Sequence, residues 1–411
     1  SKILLQKESE SIYRHSFLGK FDVKELKSNK VTPLNNGNYI QEPKFSPDGS
    51  KVAFIVDNNL FYQDLTSGKI TQITNDGKKN SIINGLGDWV YEEEFGHADY
   101  YQWNKAGDAI VFVKFDESKV PEIYIPIYGK SLYPTEMRYK YPKAGETNST
   151  VSANLYQLNS GKTTALSIAN FENHYIPQIW QTNDANEIVI ATSNRHHSKV
   201  DLIKVDTQSG NLTKLFSETD NAWIETDNLT LEFLDDNSFL WASERDGYRQ
   251  LYWYDRSGKL KKQVAKGNWE ITDYYGYNPK TKEAYIQTTE KGSLNKVVSK
   301  LNINSGKTTL ISYPEGNNSA SFSKTFNYFI NTTSTAGTPY KYVLKDASGK
   351  EIKELQNNNE LLSKLQKDNF VTKEFITIPN SAGDQLNAWI IKPKNFDPNK
   401  KYPLFMFQYS G

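Results

Sequence analysis

Three carboxylates stand side by side at Glu92, Glu93 and Glu94, flanked by Trp89, Tyr91 and Phe95. Like charges at adjacent positions repel, and in open solvent such a run is merely a hydrated acidic patch. The aromatic flanks change this, because they anchor the segment, and a short helical turn suits it. Successive helical residues point about 100° apart, so two carboxylates can converge on one spot while the third faces elsewhere. A convergent pair in a partly dry site is a receptor for an ammonium group, each charge-assisted hydrogen bond contributing about 1.5–3 kcal/mol. A cation site competes with this reading. It is weakened because His97 is the one nitrogen ligand nearby, and the alternating Asp/Asn/Gly loop of a calcium site is absent.

Nucleophilic chemistry finds less support. The chain has no cysteine, which excludes a thiolate nucleophile, thiolate zinc sites and disulfides. Ser410 lacks the Gly-x-Ser-x-Gly context that a nucleophile elbow needs, and no such elbow occurs in the chain. The five histidines are His15, His97, His174, His196 and His197, and none stands where a triad base is expected.

The elements that must position the glutamates are repetitive. A Ser-Gly-Lys turn or close variant recurs with its glycine at Gly68, Gly161, Gly210, Gly258, Gly306 and Gly349, at spacings of 93, 49, 48, 48 and 43. Ser28-Asn29-Lys30 reads as a seventh, with asparagine at the position that needs positive φ. An alternating apolar run enters each turn and a short strand leaves it, as in Leu60-Phe61-Tyr62-Gln63-Asp64-Leu65 and Ile70-Thr71-Gln72-Ile73. Upstream stands a second marker, an aromatic, a turn and a strand, as in Phe45-Ser46-Pro47-Asp48-Gly49 and Trp103-Asn104-Lys105-Ala106-Gly107. Four strands per unit at a period near 45 predict the blades of an all-β propeller, with a large stack of hairpins as the alternative.

The spacing of 93 holds about one extra blade-length of chain. It includes segment 87–97, with the glutamates, and segment 125–148, so an insertion spans about 85–148. Insertions into repeats lie on one face, often the binding face. The repeat fades after Leu355. A short helix is predicted over 360–367, then strands at Glu374-Phe375-Ile376-Thr377-Ile378-Pro379 and Leu386-Asn387-Ala388-Trp389-Ile390-Ile391. The apolar run 402–409 is predicted as a strand buried on both faces of an α/β sheet. These features divide the chain into a propeller, 1–365, and the start of a second domain, 366–411.

Bulk properties narrow the function. Forty-nine basic against 48 acidic residues give a net charge of +1, which argues against a nucleic-acid partner or a polybasic membrane contact. No segment has the roughly 20 apolar residues of a membrane span. The N-terminal Ser1-Lys2-Ile3-Leu4-Leu5 is not a signal peptide, so any signal is expected to have been removed or left out.

Asp88-Trp89-Val90-Tyr91-Glu92-Glu93-Glu94 resembles the Asp-Trp-Val-Tyr-Glu-Glu-Glu motif of the dipeptidyl peptidase IV family of prolyl oligopeptidase-type serine peptidases. Tyr141-Pro142-Lys143-Ala144-Gly145, Glu244-Arg245-Asp246-Gly247-Tyr248-Arg249 and Gly267-Asn268-Trp269-Glu270 are similar to other family segments. The resemblance implies an eight-bladed propeller, with about seven units visible, followed by the start of an α/β-hydrolase domain. It implies a serine exopeptidase that releases N-terminal dipeptides with proline or alanine second, Glu93 and Glu94 holding the substrate α-amino group. Lys400-Lys401-Tyr402-Pro403-Leu404 through Tyr409 resembles a hydrolase-domain stretch in which the tyrosine matching Tyr409 serves the oxyanion hole. The family's catalytic serine, aspartate and histidine would follow residue 411. An arginine that positions the substrate carbonyl is expected near residues 33–36, where Pro33-Leu34-Asn35-Asn36 offers none. The resemblance further implies peptide substrates with a free N-terminus, no cofactor or metal, and a homodimer through the arm near 125–148 and the hydrolase domain. With the absence of cysteine, it suits a bacterial periplasmic or secreted enzyme. A tripeptidyl or oligopeptidase relative and a non-catalytic peptide-binding propeller are the alternatives.

Overall fold

The computed structural model describes residues 1–171, 174–227 and 229–407. Each repeated turn takes the backbone that its sequence predicts. Gly68, Gly161, Gly210, Gly258, Gly306 and Gly349 all have φ between 66° and 88°, and Asn29 has φ 57°. An acceptor side chain a few residues earlier closes most of them. The Asp64 carboxylate accepts from the backbone amides of Thr66 and Ser67, and Asp206, Asp255, Asn302 and Asp346 serve their own turns likewise. The turn is therefore set by local chemistry, and it forces the two flanking strands into a hairpin.

Two compact units result, one of residues 1–247 and 251–263, the other of 248–250 and 264–411. In the first, strands Gln41–Phe45, Lys51–Val56, Asn59–Asp64 and Ile70–Gln72 make a four-stranded antiparallel sheet in chain order. Tyr175–Gln181, Glu187–Ser193, Lys199–Asp206 and Leu212–Thr219 make another, and strands from Leu231–Phe233 to Leu260–Gln263 a third. Lys2–Ser11, Phe17–Glu25 and Val31–Pro33 form a three-stranded sheet.

Period-two alternation does more here than separate core from solvent. In Lys51–Val56, Val52 and Phe54 join the core of Phe21 and Val23, while Ala53 and Ile55 join that of Ile110 and Val111. In Glu187–Ser193, Ile188 and Ile190 face one core and Val189 and Ala191 another, with Phe239 and Trp241. Successive sheets are thus stacked face to face, and both faces of the middle strands are apolar. Each fully buried side chain of this kind contributes about 1.5–3 kcal/mol. Four-stranded sheets in chain order, stacked in this way, are the local arrangement of propeller blades.

The unit with the long spacing is a five-stranded sheet. Ala109–Asp116 pairs along its length with Thr150–Gln157, so residues 117–149 leave the sheet and return to it. The excursion carries a separate hairpin, Glu122–Ile127 with Thr135–Lys140. A six-residue helix, α1 (Trp89–Glu94), lies in the same unit, between strands Ile82–Asn84 and Tyr101–Trp103.

The second unit holds two further four-stranded sheets, running from Ile271–Asn278 to Thr308–Leu310 and from Asn317–Phe322 to Glu351–Gln356. Helix α2 (Asn359–Lys367) and the hairpin of Glu374–Pro379 with Gln385–Ile390 follow. The run predicted as a buried strand over 402–409 departs from expectation. Residues 402–407 are in no strand, and Leu404 to Phe407 are exposed, Phe405 by 88%. A strand buried on both faces needs a neighbour on each edge, and nothing among the described residues pairs with this one.

Candidate functional site

Helix α1 is built from its cap inward. The Asp88 carboxylate accepts from the backbone N–H of Tyr91 at 2.9 Å and takes the Ser149 hydroxyl on its other oxygen. Burial pushes the Asp88 pKa up, against the pull of these two donors. The buried Tyr91 hydroxyl accepts from the backbone N–H of Ile176 at 3.0 Å. Its ring lies edge-on to Phe95, Phe115 and Tyr100, at 4.7, 4.6 and 5.2 Å between centroids. Gly87 allows this approach, since a Cβ there would stand 2.8 Å from the Tyr100 ring and 3.0 Å from the Tyr91 Cβ. A capped turn pinned by an aromatic core is a rigid platform for the residues on its open side.

The three glutamates divide as helical geometry requires. Glu92 turns inward and is 2% exposed. Its Oε1 accepts from the backbone amides of His15 and Ser16, at 2.6 and 2.8 Å. Glu93 faces outward and forms a two-pronged ion pair with Arg14, Nε to Oε2 at 2.9 Å and Nη2 to Oε1 at 2.8 Å. The Arg14 guanidinium holds the Glu93 carboxyl below the usual carboxylate range. Glu94 is exposed and forms no ion pair among the described residues. On this helix only Glu93 is paired with a guanidinium, while Glu92 is spent on backbone amides and Glu94 is left exposed to solvent.

The two unusual segments of the insertion meet here. Trp89 of α1 packs against Tyr141 at 4.4 Å and Tyr139 at 5.9 Å between centroids, and Tyr139 also packs against Tyr13 at 5.7 Å. Ile12, Tyr13, Arg14, Trp89, Glu93 and Tyr139 help to line a pocket of about 490 Å³. Aromatic rings thus wall one side of the Arg14–Glu93 pair.

Arg14 is the residue that sequence reasoning missed. Residues 33–36 hold no arginine, whereas Arg14, at the tip of the first hairpin, is brought to Glu93 across 79 residues of chain. Asn35 lies elsewhere, its backbone N–H donating to Gln63. An arginine in a five-residue connection between two well-formed strands was the signal available in the sequence. Tyr409, expected to serve an oxyanion, and Ser410 lie outside the described residues. Two of the histidines, His97 and His197, are wedged into the framework, while His15 and His196 are exposed. His97 places its ring nitrogens 3.1 and 3.0 Å from the Asp99 and Pro177 carbonyl oxygens. His197 stacks on Trp223 and contacts the Thr226 hydroxyl at 3.1 Å, and burial pushes its pKa down.

Residues 1–340 match the family model described as the dipeptidyl peptidase IV N-terminal region. The chain is 27% identical, over all of its length, to a probable dipeptidyl peptidase 4 of Aspergillus flavus, and covers 56% of that protein. It is 28% identical over 97% of its length to dipeptidyl peptidase 4 of Trichophyton rubrum, of which it covers 53%. The chain therefore spans about half the length of the curated relatives it matches. Among solved structures, Porphyromonas gingivalis dipeptidyl peptidase 4 superimposes on 98% of this chain with a TM-score of 0.92 and 36% identity, the chain covering 57% of it. A putative dipeptidyl aminopeptidase IV of Bacteroides ovatus matches with a TM-score of 0.77 and 25% identity over 95% of this chain, which covers 57% of it.

Proposed function

The chain belongs to the dipeptidyl peptidase IV N-terminal region family, and on that premise we propose that it is the substrate-recognising part of a serine exopeptidase releasing N-terminal dipeptides with proline or alanine second. The observation that carries this reading is the pair of outward carboxylates, Glu93 and Glu94, on a rigid capped helix beside Arg14. The substrate ammonium sits between Glu93 and Glu94. Arg14, already oriented by Glu93, donates to the first carbonyl of the peptide. A fixed distance from this anchor to the nucleophile then selects the bond after the second residue.

In this reading the sheets of residues 1–365 are about seven units of an eight-bladed propeller. Residues 366–411 begin an α/β-hydrolase domain whose remainder carries the serine, aspartate and histidine. Tyr409 donates to the oxyanion of the tetrahedral intermediate, a contribution of about 2.7–4 kcal/mol for a preorganised donor. The remainder of that domain covers the exposed apolar residues 404–407. The protein acts on peptides in the periplasm or outside a bacterial cell. Among the described residues no helix is long and apolar enough to cross a membrane.

Glu93→Ala and Glu94→Ala in the full-length protein test the anchor. Each should lower kcat/KM for a Gly-Pro anilide by at least 10–100-fold, the loss of one charge-assisted contact of about 1.5–3 kcal/mol. Unchanged kcat/KM in both variants sinks the assignment. An N-acetylated substrate should resist cleavage. KM should rise above roughly pH 8, where an α-amino group of pKa about 7.7–8.0 loses its proton. A ladder of peptides read by mass spectrometry separates dipeptide from tripeptide release.

A further inference from the structure

Glu92 does not face solvent with its neighbours, yet it is tied to the same site. Its buried Oε1 takes the backbone amides of His15 and Ser16, the two residues that follow Arg14. Those residues belong to the connection 12–16 between strands Lys2–Ser11 and Phe17–Glu25. The connection has one backbone hydrogen bond of its own, from the Ile12 N–H to the Ser16 carbonyl at 3.0 Å. Its other anchors are side chains, Tyr13 on Tyr139 and Arg14 on Glu93. Five-residue loops have several accessible conformations, and an arginine side chain has many rotamers. A two-pronged guanidinium contact tolerates little displacement of the backbone that carries it.

We propose that Glu92 is a positioning residue, whose carboxylate clamps the backbone at His15 and Ser16 and thereby holds Arg14 in register with Glu93 for substrate. One helical turn then presents carboxylates with separate duties. Glu93 and Glu94 meet the peptide, and Glu92, turned the other way, organises the loop that brings the cation. The inference rests on the peptidase reading for its kinetic consequences, and on the hydrogen bonds alone for its structural ones.

A double-mutant cycle in the full-length protein tests it. Glu92→Ala should raise KM for a Gly-Pro anilide about 10-fold or more, with kcat changed less than about 3-fold, and Glu92→Gln, which keeps a carbonyl acceptor, should recover most of the loss. In the Arg14→Ala background, Glu92→Ala should add less than 2-fold, because the residue it acts through is gone. A full additional loss there overturns the proposal. Hydrogen exchange needs no activity. In Glu92→Ala, the amides of His15 and Ser16 should exchange at least 10-fold faster while those of the strand Ala109–Asp116 keep their protection. Unchanged exchange at residues 15 and 16 overturns the proposal, and a global loss of protection shows a role in folding and overturns it equally. If the unmodified protein releases no dipeptides, the functional reading fails and the exchange result still decides the role of Glu92.

Discussion

Glu117 lies behind the site, 6% exposed, where burial and the Asp88 carboxylate push its pKa up to about 7 against the opposing charge of Lys140. A carboxyl whose folded pKa exceeds its unfolded value binds its proton more tightly when folded. Its contribution is most favourable below about pH 4.5, declines as pH rises, and levels off above about 7. The lost stability approaches a few kcal/mol, since one pKa unit is about 1.4 kcal/mol. Glu117→Gln should therefore be more stable than the parent at pH 8, with the gain vanishing near pH 4.5. Urea unfolding at both pH values checks this, and an equal difference at both would contradict it. Glu232, raised to about 7 by burial, pulls in the same direction.

At the scale of elements, much of the molecule is legible in one dimension. Each repeated turn carries a residue that tolerates positive φ, and most carry an Asp or Asn acceptor as well, so the hairpins follow from local chemistry. The short helix at the acidic run was readable too, because Asp88 stands at its cap and aromatics mark its buried side. The expected helix over 360–367 is present as Asn359–Lys367. Gly87 shows how little space that arrangement leaves. Gly87→Ala should cost about 1–3 kcal/mol through overpacking against Tyr91 and Tyr100. It should also weaken substrate binding, because α1 would shift as a body. Denaturant midpoints together with KM check both, and an unchanged midpoint would show that the turn yields without strain.

At the scale of the whole molecule, the arm and the C-terminal segment present apolar surface that this chain leaves uncovered. Leu132 and Tyr133 at the tip of the arm are 90% and 77% exposed. Exposed apolar groups clustered on a projecting hairpin are costly in water unless a partner covers them. With the arm as a dimer contact, Leu132→Asp together with Tyr133→Asp should shift the full-length protein from dimer to monomer in sedimentation equilibrium, without lowering the thermal midpoint of the propeller. A parent protein that is monomeric at micromolar concentration, or a variant that stays dimeric, would remove the arm from that role.

The amino-acid sequence by itself determined the repeat, its turns, the strands around them, the insertion and the acidic helix. Each of these rests on contacts between residues a few positions apart, where residue type and spacing suffice. Tertiary structure alone decided which side chains share the site. Arg14 reaches Glu93, and the amides of His15 and Ser16 reach Glu92, because stacked sheets bring a hairpin tip against a helix nearly 80 residues away. Ser149 reaches Asp88 because the excursion returns beside the strand it left. The apolar run at 402–407 shows the same limit from the other side: its composition suits a buried strand, but burial needs neighbours that spacing along the chain does not supply.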